Sequence, residues 1–307
     1  MKNNIPDLIK SSMCSIINGQ IEQDQIRNML YGFIDYQSKK GFPFGELLIL
    51  HFDLFNKEKE RPEAIWLVAA ALELIILSGD ILDDFQDGDQ KDTPWSFKPD
   101  LALNSTTNLL LLNINVLKNT NFKNKGKGLS ILIEYVLKSI NGQYKDLLNI
   151  CTSESEYIRM SLEKSGSLTA LACLLGTTLA TDQFPEDKIE TYGKYIGLIG
   201  QMTNDIADAE KMTEKNDLVN KKYSLPIIYL LNRQDKDVQF IRDYYENKIE
   251  KSEFLEKLEM VKKQLQDTGA IIYAKVVKRI YQNKAKTEIE GLNLAPYDID
   301  RLLKYIN

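Results

Sequence analysis

The chain has 307 residues, 43% of them hydrophobic, with a single histidine and a net charge of −5. This is enough apolar material for a sizeable core, in one large domain or two average ones. The acidic balance, with no basic stripe, excludes a nucleic-acid-binding surface.

The N-terminal MKNNIPDLIKSSMCSI carries no signal-peptide apolar block. Helical periodicity of apolar residues begins over roughly 21–39 and continues over roughly 43–57 and 62–87. The apolar run Ala64 to Ser78 within the third segment is interrupted by Glu73 and falls short of the roughly 20 residues a membrane span needs. A buried core helix is expected there, and no stable membrane insertion. Further helices are expected over roughly 101–118, 127–150, 153–180, 186–212, 224–233, 236–249 and 252–285, with a short one near 297–305. Prolines mark the breaks, among them Pro43, Pro62, Pro99, Pro185 and Pro296. KNTNFKNKGKG, residues 118 to 128, is the best candidate for a mobile surface loop. Strand alternation is nearly absent, and there is no repeat or linker. The expectation is one all-α domain over 1–307, a large helical bundle. The C-terminal LLKYIN has no lipidation cysteine. Cys14, Cys151 and Cys173 lie far apart without zinc spacing, which suits an unbridged fold in a reducing cytoplasm.

Two stretches carry the chemistry. ILDDFQDGDQ, from residue 81, follows a long apolar helix, with Asp80 just before it. Asp80, Asp83, Asp84 and Asp87 are three, four or seven residues apart, so they point broadly one way on a helix. Clustered like charges destabilise a helix unless something compensates them. The second stretch is QMTNDIAD, from residue 201, with Asn204, Asp205 and Asp208, again ending an apolar run. Either cluster alone could be a solvated helix end. Two oxygen-only clusters suggest a divalent metal, Mg²⁺ or Mn²⁺ rather than zinc. Mg²⁺ keeps waters and binds through one or two carboxylates plus substrate phosphates. The expected guest is therefore a diphosphate in a cavity walled by the two helices. Lys164, Lys215 and Lys222 are candidate point-charge partners for it. His51 is either a satisfied, partly buried histidine or a polar contact to the diphosphate or acceptor.

The pattern resembles the trans-isoprenyl diphosphate synthase (polyprenyl synthetase) family of class I prenyltransferases. ELIILSGDILDDFQD resembles the first aspartate-rich motif, and NGQYKDL, with Gln143 and Asp146, the Gly-Gln-x-x-Asp-Leu element. KSGSL, with Lys164 and Ser165, resembles the Lys-Thr/Ser-Gly motif. GQMTNDIAD resembles the second aspartate-rich motif, and KNDLVNKKYSLP the segment that follows it. The resemblance implies an all-α, single-domain isoprenoid-synthase-type bundle with a central cavity, packed as a homodimer. It also implies Mg²⁺, as many as three ions per active site, held by Asp83, Asp84, Asp87, Asn204, Asp205 and Asp208. These would bind the diphosphate of an allylic prenyl donor. Ser78 and Gly79, one turn below the first aspartate, would lie under the prenyl tail, and neither blocks a geranyl or farnesyl chain.

The departures narrow the function. Elongating members bind a second diphosphate with a Gly-Lys-Arg-x-Arg-Pro motif and a His before the first acidic cluster. Here the early helix reads GFPFGELLILHF and Ile76 stands at the His position. The donor site is kept, while the isopentenyl site looks dismantled. Together with Asp80, these features resemble the ComQ-type branch of pheromone-precursor prenyltransferases. That branch transfers a geranyl or farnesyl group to a tryptophan of a small quorum-sensing precursor peptide. Asp80 would then be a general base for the indole proton, a further metal-shell oxygen, or a helix-end charge. The competing expectations are a chain-elongating polyprenyl diphosphate synthase, a non-catalytic subunit of one, and a class I terpene cyclase. The last expects a Ser and a Glu where this chain has Asp208 and Met212.

Overall fold

A computed structural model of the protein describes residues 4–58, 60–88, 91–211 and 216–307. Among these the regular elements are all helical, as the periodicity predicts. The chain forms two compact units, Met1–Val136 with Leu171–Glu190 and Leu137–Ala170 with Thr191–Asn307.

The first unit is built on α1 (Ile5–Gln20), α2 (Asp24–Gln37), α3 (Pro43–Phe55), α4 (Glu63–Asp87) and α5 (Pro99–Lys118). It also holds the start of α6 (Lys125–Leu147) and the later part of α8 (Ser167–Ala180). α4 is its axis and packs against α1, α2, α3 and α5. Residues Val68 to Ser78 are buried without a break, so this helix is apolar on every side because every side has a neighbour. By length and composition α4 is long enough to cross a membrane, longer than the Ala64–Ser78 run suggests. However, 72% of its apolar window is buried inside the protein, so the core-helix reading holds. Prolines at the first turns of α3 and α5 fix φ where no intrahelical N–H bond is lost. α8 reaches α3 through Gly176, where a Cβ would lie 2.3 Å from the Leu48 carbonyl oxygen.

Two expectations for this unit change. The N-terminal residues form a helix, α1, which buries Ile9, Met13, Ile16 and Ile17. The expected 118–128 loop shrinks to 119–124, because α5 ends at Lys118 and α6 starts at Lys125. That connection is tied down by Asn124 Nδ2 donating to Thr178 O (2.9 Å) and by a Lys123–Asp182 ion pair (2.7 Å).

The second unit contains the end of α6, α7 (Glu154–Ser161), a π turn (Leu162–Gly166), the start of α8 and most of α9 (Glu186–Lys211). It continues through α10 (Leu225–Leu231), a 3₁₀ turn (Lys236–Val238), α11 (Gln239–Tyr245), α12 (Lys251–Glu256) and α13 (Leu258–Asp267). α14 (Ala270–Glu290) and α15 (Pro296–Leu303) complete it. A capping box between Ser153 and Glu156 starts α7, satisfying two amides that the first turn would otherwise leave open. The helix expected over 252–285 is three helices instead. Lys257 makes the first break, and Gly269 at φ +76° makes the second, a conformation that Gly adopts at no steric cost. One cluster of buried side chains centres on Tyr244, Phe254 and Leu265, and another on Tyr157, Met202 and Leu225.

α6 carries an exposed apolar stripe. Ile133, Leu137, Ile140, Tyr144 and Leu147 recur at spacings of four and three, each 41–62% exposed. That is the seam pattern by which one helix packs along another.

Candidate active site

The first acidic cluster occupies the last two turns of α4, which Gly88 closes in the left-handed conformation (φ +75°). Four carboxylates at a helix C-terminus oppose the helix dipole as well as each other. Regular helix geometry places all four within about 100° of one another around the axis, one broad face. Asp80 and Asp84 turn toward α2 and the segment after it. Asp84 Oδ2 accepts from Trp95 Nε1 (2.9 Å), and the buried Trp95 ring stands edge-on to Phe33 and Tyr36. Asp80 has its carboxyl pushed up by burial. Opposing this are the charge of Lys40 and a hydrogen bond from Gln37, while Asp84 adds to it. Asp83 is half-buried and Asp87 exposed.

Deeper in α4, Ser78 is fully buried and its Oγ donates to Thr106 O (3.3 Å). Gly79 is the open position of the two, since a Cβ there would meet nothing within 4 Å. Ile76 is buried. Glu73, read in the sequence only as an interruption, is a fully buried carboxyl. Its Oε1 accepts from the Gly45 amide (2.6 Å) in the first turn of α3, whose own N-cap offers no side-chain acceptor. Burial pushes it up to about 8 against the help of that amide, and Asp80 adds to the rise. Its Oε2 has no hydrogen-bond partner.

His51 is fully buried on α3, with Nδ1 donating to Leu47 O (2.8 Å). Burial pulls it down to about 4, so it is neutral at physiological pH. The structure therefore supports the core-histidine alternative.

The second cluster lies in the second unit, where α6, α7, the π turn and α9 meet the segment after α9. Asp205 is 6% exposed. Tyr157 OH donates to its Oδ2 (2.6 Å) and Gln201 Nε2 to its Oδ1 (2.8 Å). Ser165 Oγ donates to Gln201 Oε1 (2.9 Å), so Ser165 reaches Asp205 through one amide. Burial pushes Asp205 up to about 7, Asp217 adds to it, and the Tyr157 and Gln201 hydrogen bonds oppose it. Asp217 is itself pushed up to about 6, by burial first and then by Asp208. Its backbone N–H donates to Asp208 Oδ2 (2.9 Å). Lys164 Nζ donates to Asp146 Oδ2 (2.6 Å). Gly142 makes this approach possible: a Cβ there would lie 2.2 Å from Lys164 N. Gln143 lies on α6 three residues before Asp146. Lys222 offsets part of the charge on Asp217.

The structure thus joins Asp205, Asp208, Ser165 and Lys164 to a network that also contains Tyr157, Gln201, Asp146 and Asp217. Asp146 and Gln201 fall within motifs the sequence offered, while Tyr157 was not singled out there and Asp217 lay only in the segment after the second cluster. Asn204 is exposed on α9, and Asp217 joins Asp205 and Asp208 in the network. Lys215 lies outside the described residues. Only the DL of KNDL hinted at Asp217.

These donors suit Mg²⁺. They are all oxygens, and the network holds more buried carboxylate than positive charge, an imbalance that a divalent cation would relieve. Among the described residues, no three His, Cys, Asp or Glu side chains already form a metal cage. An ion here would complete its shell with water and phosphate oxygens, as Mg²⁺ commonly does.

An all-helical chain with two aspartate-rich helix ends, one beside a paired lysine, defines a class. The polyprenyl synthetase family profile matches residues 27–261, and the chain belongs to that family. Its similarity is to a particular branch. It is 33% identical over 296 residues to the tryptophan prenyltransferase ComQ of Bacillus subtilis subsp. natto (strain BEST195), covering 96% of this chain and 90% of that one. It is 31% identical to ComQ of Bacillus subtilis (strain 168), covering 92% of each. Among solved structures, heptaprenyl diphosphate synthase from Staphylococcus aureus superposes with a TM-score of 0.81 at 21% identity, covering 100% of this chain and 98% of that one.

Proposed function

We propose that this protein transfers a prenyl group from an allylic diphosphate, geranyl or farnesyl, to a tryptophan of a small pheromone-precursor peptide. The observation that carries this reading is the change at the acceptor side. Where elongating members of the family hold a second diphosphate with basic residues, this chain has Phe42, Phe44, Gly45, Glu46 and Ile76, with carboxylates Glu73 and Asp80 nearby. Similarity to two tryptophan prenyltransferases over most of the chain supports it.

In this reading Asp83, Asp84 and Asp87, with Asp205, Asp208 and Asp217, hold Mg²⁺ and the donor diphosphate. Bound Mg²⁺ supplies Lewis-acid stabilisation of the leaving group. Lys164, Lys222 and Lys215 balance the remaining negative charge. To meet a phosphate, Lys164 must exchange or share its bond to Asp146. Tyr157 and Gln201 orient Asp205. Gly79 leaves room for the prenyl tail. Indole attacks the allylic carbon as its C–O bond breaks, and Asp80 receives the proton that the ring loses. Residues 1–307 act as one isoprenoid-synthase-like domain, in the cytoplasm, where the free Cys14, Cys151 and Cys173 stay reduced. The α6 stripe is the seam of a homodimer.

The test offers the purified protein Mg²⁺ and geranyl or farnesyl diphosphate, with two acceptors in separate reactions. One is a tryptophan-containing peptide encoded beside its gene, the other isopentenyl diphosphate. Prenylated peptide with little or no elongation is expected. Efficient elongation with no modified peptide would establish an ordinary synthase instead.

A further inference from the structure

We propose that Gln37 is the acceptor-recognising residue of this reaction, and that its side-chain oxygen takes the indole N–H of the incoming tryptophan beside Asp80. The inference rests on the proposed function and names the contact that would select an indole.

Gln37 is the last residue of α2 and is 4% exposed. Its side chain bonds to Asp80. Because a carboxylate only accepts, the amide nitrogen must face Asp80, and the oxygen is left to face elsewhere. That oxygen, Oε1, is buried and has no hydrogen-bond partner. Native proteins rarely leave a buried acceptor unmet unless a ligand or water supplies the donor. Glu73 Oε2, whose carboxyl feels the charge of Asp80, is a second buried polar atom without a partner. The Gln37 oxygen therefore lacks a donor, and what binds to it must bring one.

The surrounding charge decides which kind of donor. Glu73 feels the charges of Asp80 and Glu46, and Asp80 feels that of Asp84, with Lys40 the cation acting on Asp80. A second diphosphate is repelled by that balance. A neutral ring with one N–H is not, and Ile76 adds apolar surface. As the ring gains positive charge during attack, its N–H becomes a stronger donor. The bond to Gln37 therefore tightens toward the transition state. A neutral amide oxygen makes this contact without adding another buried charge.

The test compares two peptides that differ by one atom group: the tryptophan peptide and its 3-benzothienylalanine analogue, in which sulfur replaces N–H. Binding is measured by calorimetry with Mg²⁺ and a non-ionising thiolo-diphosphate analogue of the donor. Wild type should bind the tryptophan peptide about 10-fold more tightly than the analogue, the worth of one such hydrogen bond. Gln37→Met, of similar volume, should lose about 10-fold for the tryptophan peptide and bring the two peptides within about 2-fold of each other, with donor-analogue affinity retained. Circular dichroism and the retained donor affinity show that the variant is folded. Should Gln37→Met fail to fold, wild-type discrimination together with its loss in Gln37→Leu decides in its place. Equal wild-type affinities for the two peptides would overturn the proposal, as would discrimination that persists without the amide. A wild-type enzyme that does not prenylate the tryptophan peptide overturns the proposed function and this inference with it. One that prenylates it without any effect at Gln37 overturns this inference alone.

Discussion

Replacing Glu73 by Gln should change how stability depends on pH, with a sign fixed by the structure. Burial lifts the Glu73 carboxyl from the usual 4.5 to about 8, although the Gly45 and Phe44 amides favour its ionised form. Between those values the folded protein holds a proton that the unfolded chain has released. Stability therefore falls as pH rises through the window. A displacement of that size corresponds to at most about 4–5 kcal/mol. Gln keeps the shape and an oxygen for the Gly45 N–H, bonded at 2.6 Å in the native protein, but cannot ionise. Urea unfolding of wild type and Glu73→Gln should give nearly equal stabilities at about pH 5 and a gap of ~2–4 kcal/mol at about pH 8.5, with the variant more stable. Parallel pH dependences would refute the reasoning, as would a variant that is the weaker at high pH. Either result would mean that Glu73 sits ionised on the α3 amides at little cost.

Tyr157→Phe removes the hydroxyl that donates to Asp205 at 2.6 Å, and turnover should fall about 10- to 100-fold, the worth of one hydrogen bond to a charged group. Asp205→Ala should abolish turnover while the circular dichroism spectrum stays helical, and near-normal activity would remove Asp205 from the metal site. Gly79→Phe fills the space where a Cβ meets nothing within 4 Å, so donor preference should shift toward the shorter diphosphate in a competition assay. Leu137→Glu with Tyr144→Glu places two charges on the α6 stripe, and light scattering should then report a monomer where wild type is a dimer.

Most helices were legible because their apolar residues keep one period. α1 was overlooked although Ile9, Met13, Ile16 and Ile17 are spaced as a buried stripe. The Ser-Ser-Met-Cys-Ser run between them has weak helix propensity, and packing against α4 compensates for it. In the 252–285 segment, the Thr-Gly pair at 268 and 269 was a readable stop. The break at Lys257 falls within an unbroken apolar pattern, so only tertiary packing sets it. At the site, like charges in one turn announce themselves, which is why both aspartate clusters stood out. Tyr157 and Gln37 did not. Their importance lies in what they touch, Asp205 and Asp80, 48 and 43 residues further along the chain, and no local pattern encodes that. Helical geometry puts all four aspartates on one broad face, but which of them meets Trp95 is again a matter of the fold.

The π turn at Leu162–Gly166 has a further consequence. In an uninterrupted α-helix, Tyr157 and Thr169 would project about 120° apart around the axis. One residue absorbed by the wider turn reduces that to about 20°, so both side chains lie along one line. Both reach α9, Tyr157 at Asp205 Oδ2 and Thr169 at Gly193 O (2.6 Å). The segment thus acts as a phase correction between two helical lattices, with Lys164 and Ser165 at the point of adjustment. Losing a single residue there would leave the helix intact yet swing one end of it about 100° out of step. Chain length across 162–166 is therefore under as strict a constraint as the identity of the residues within it.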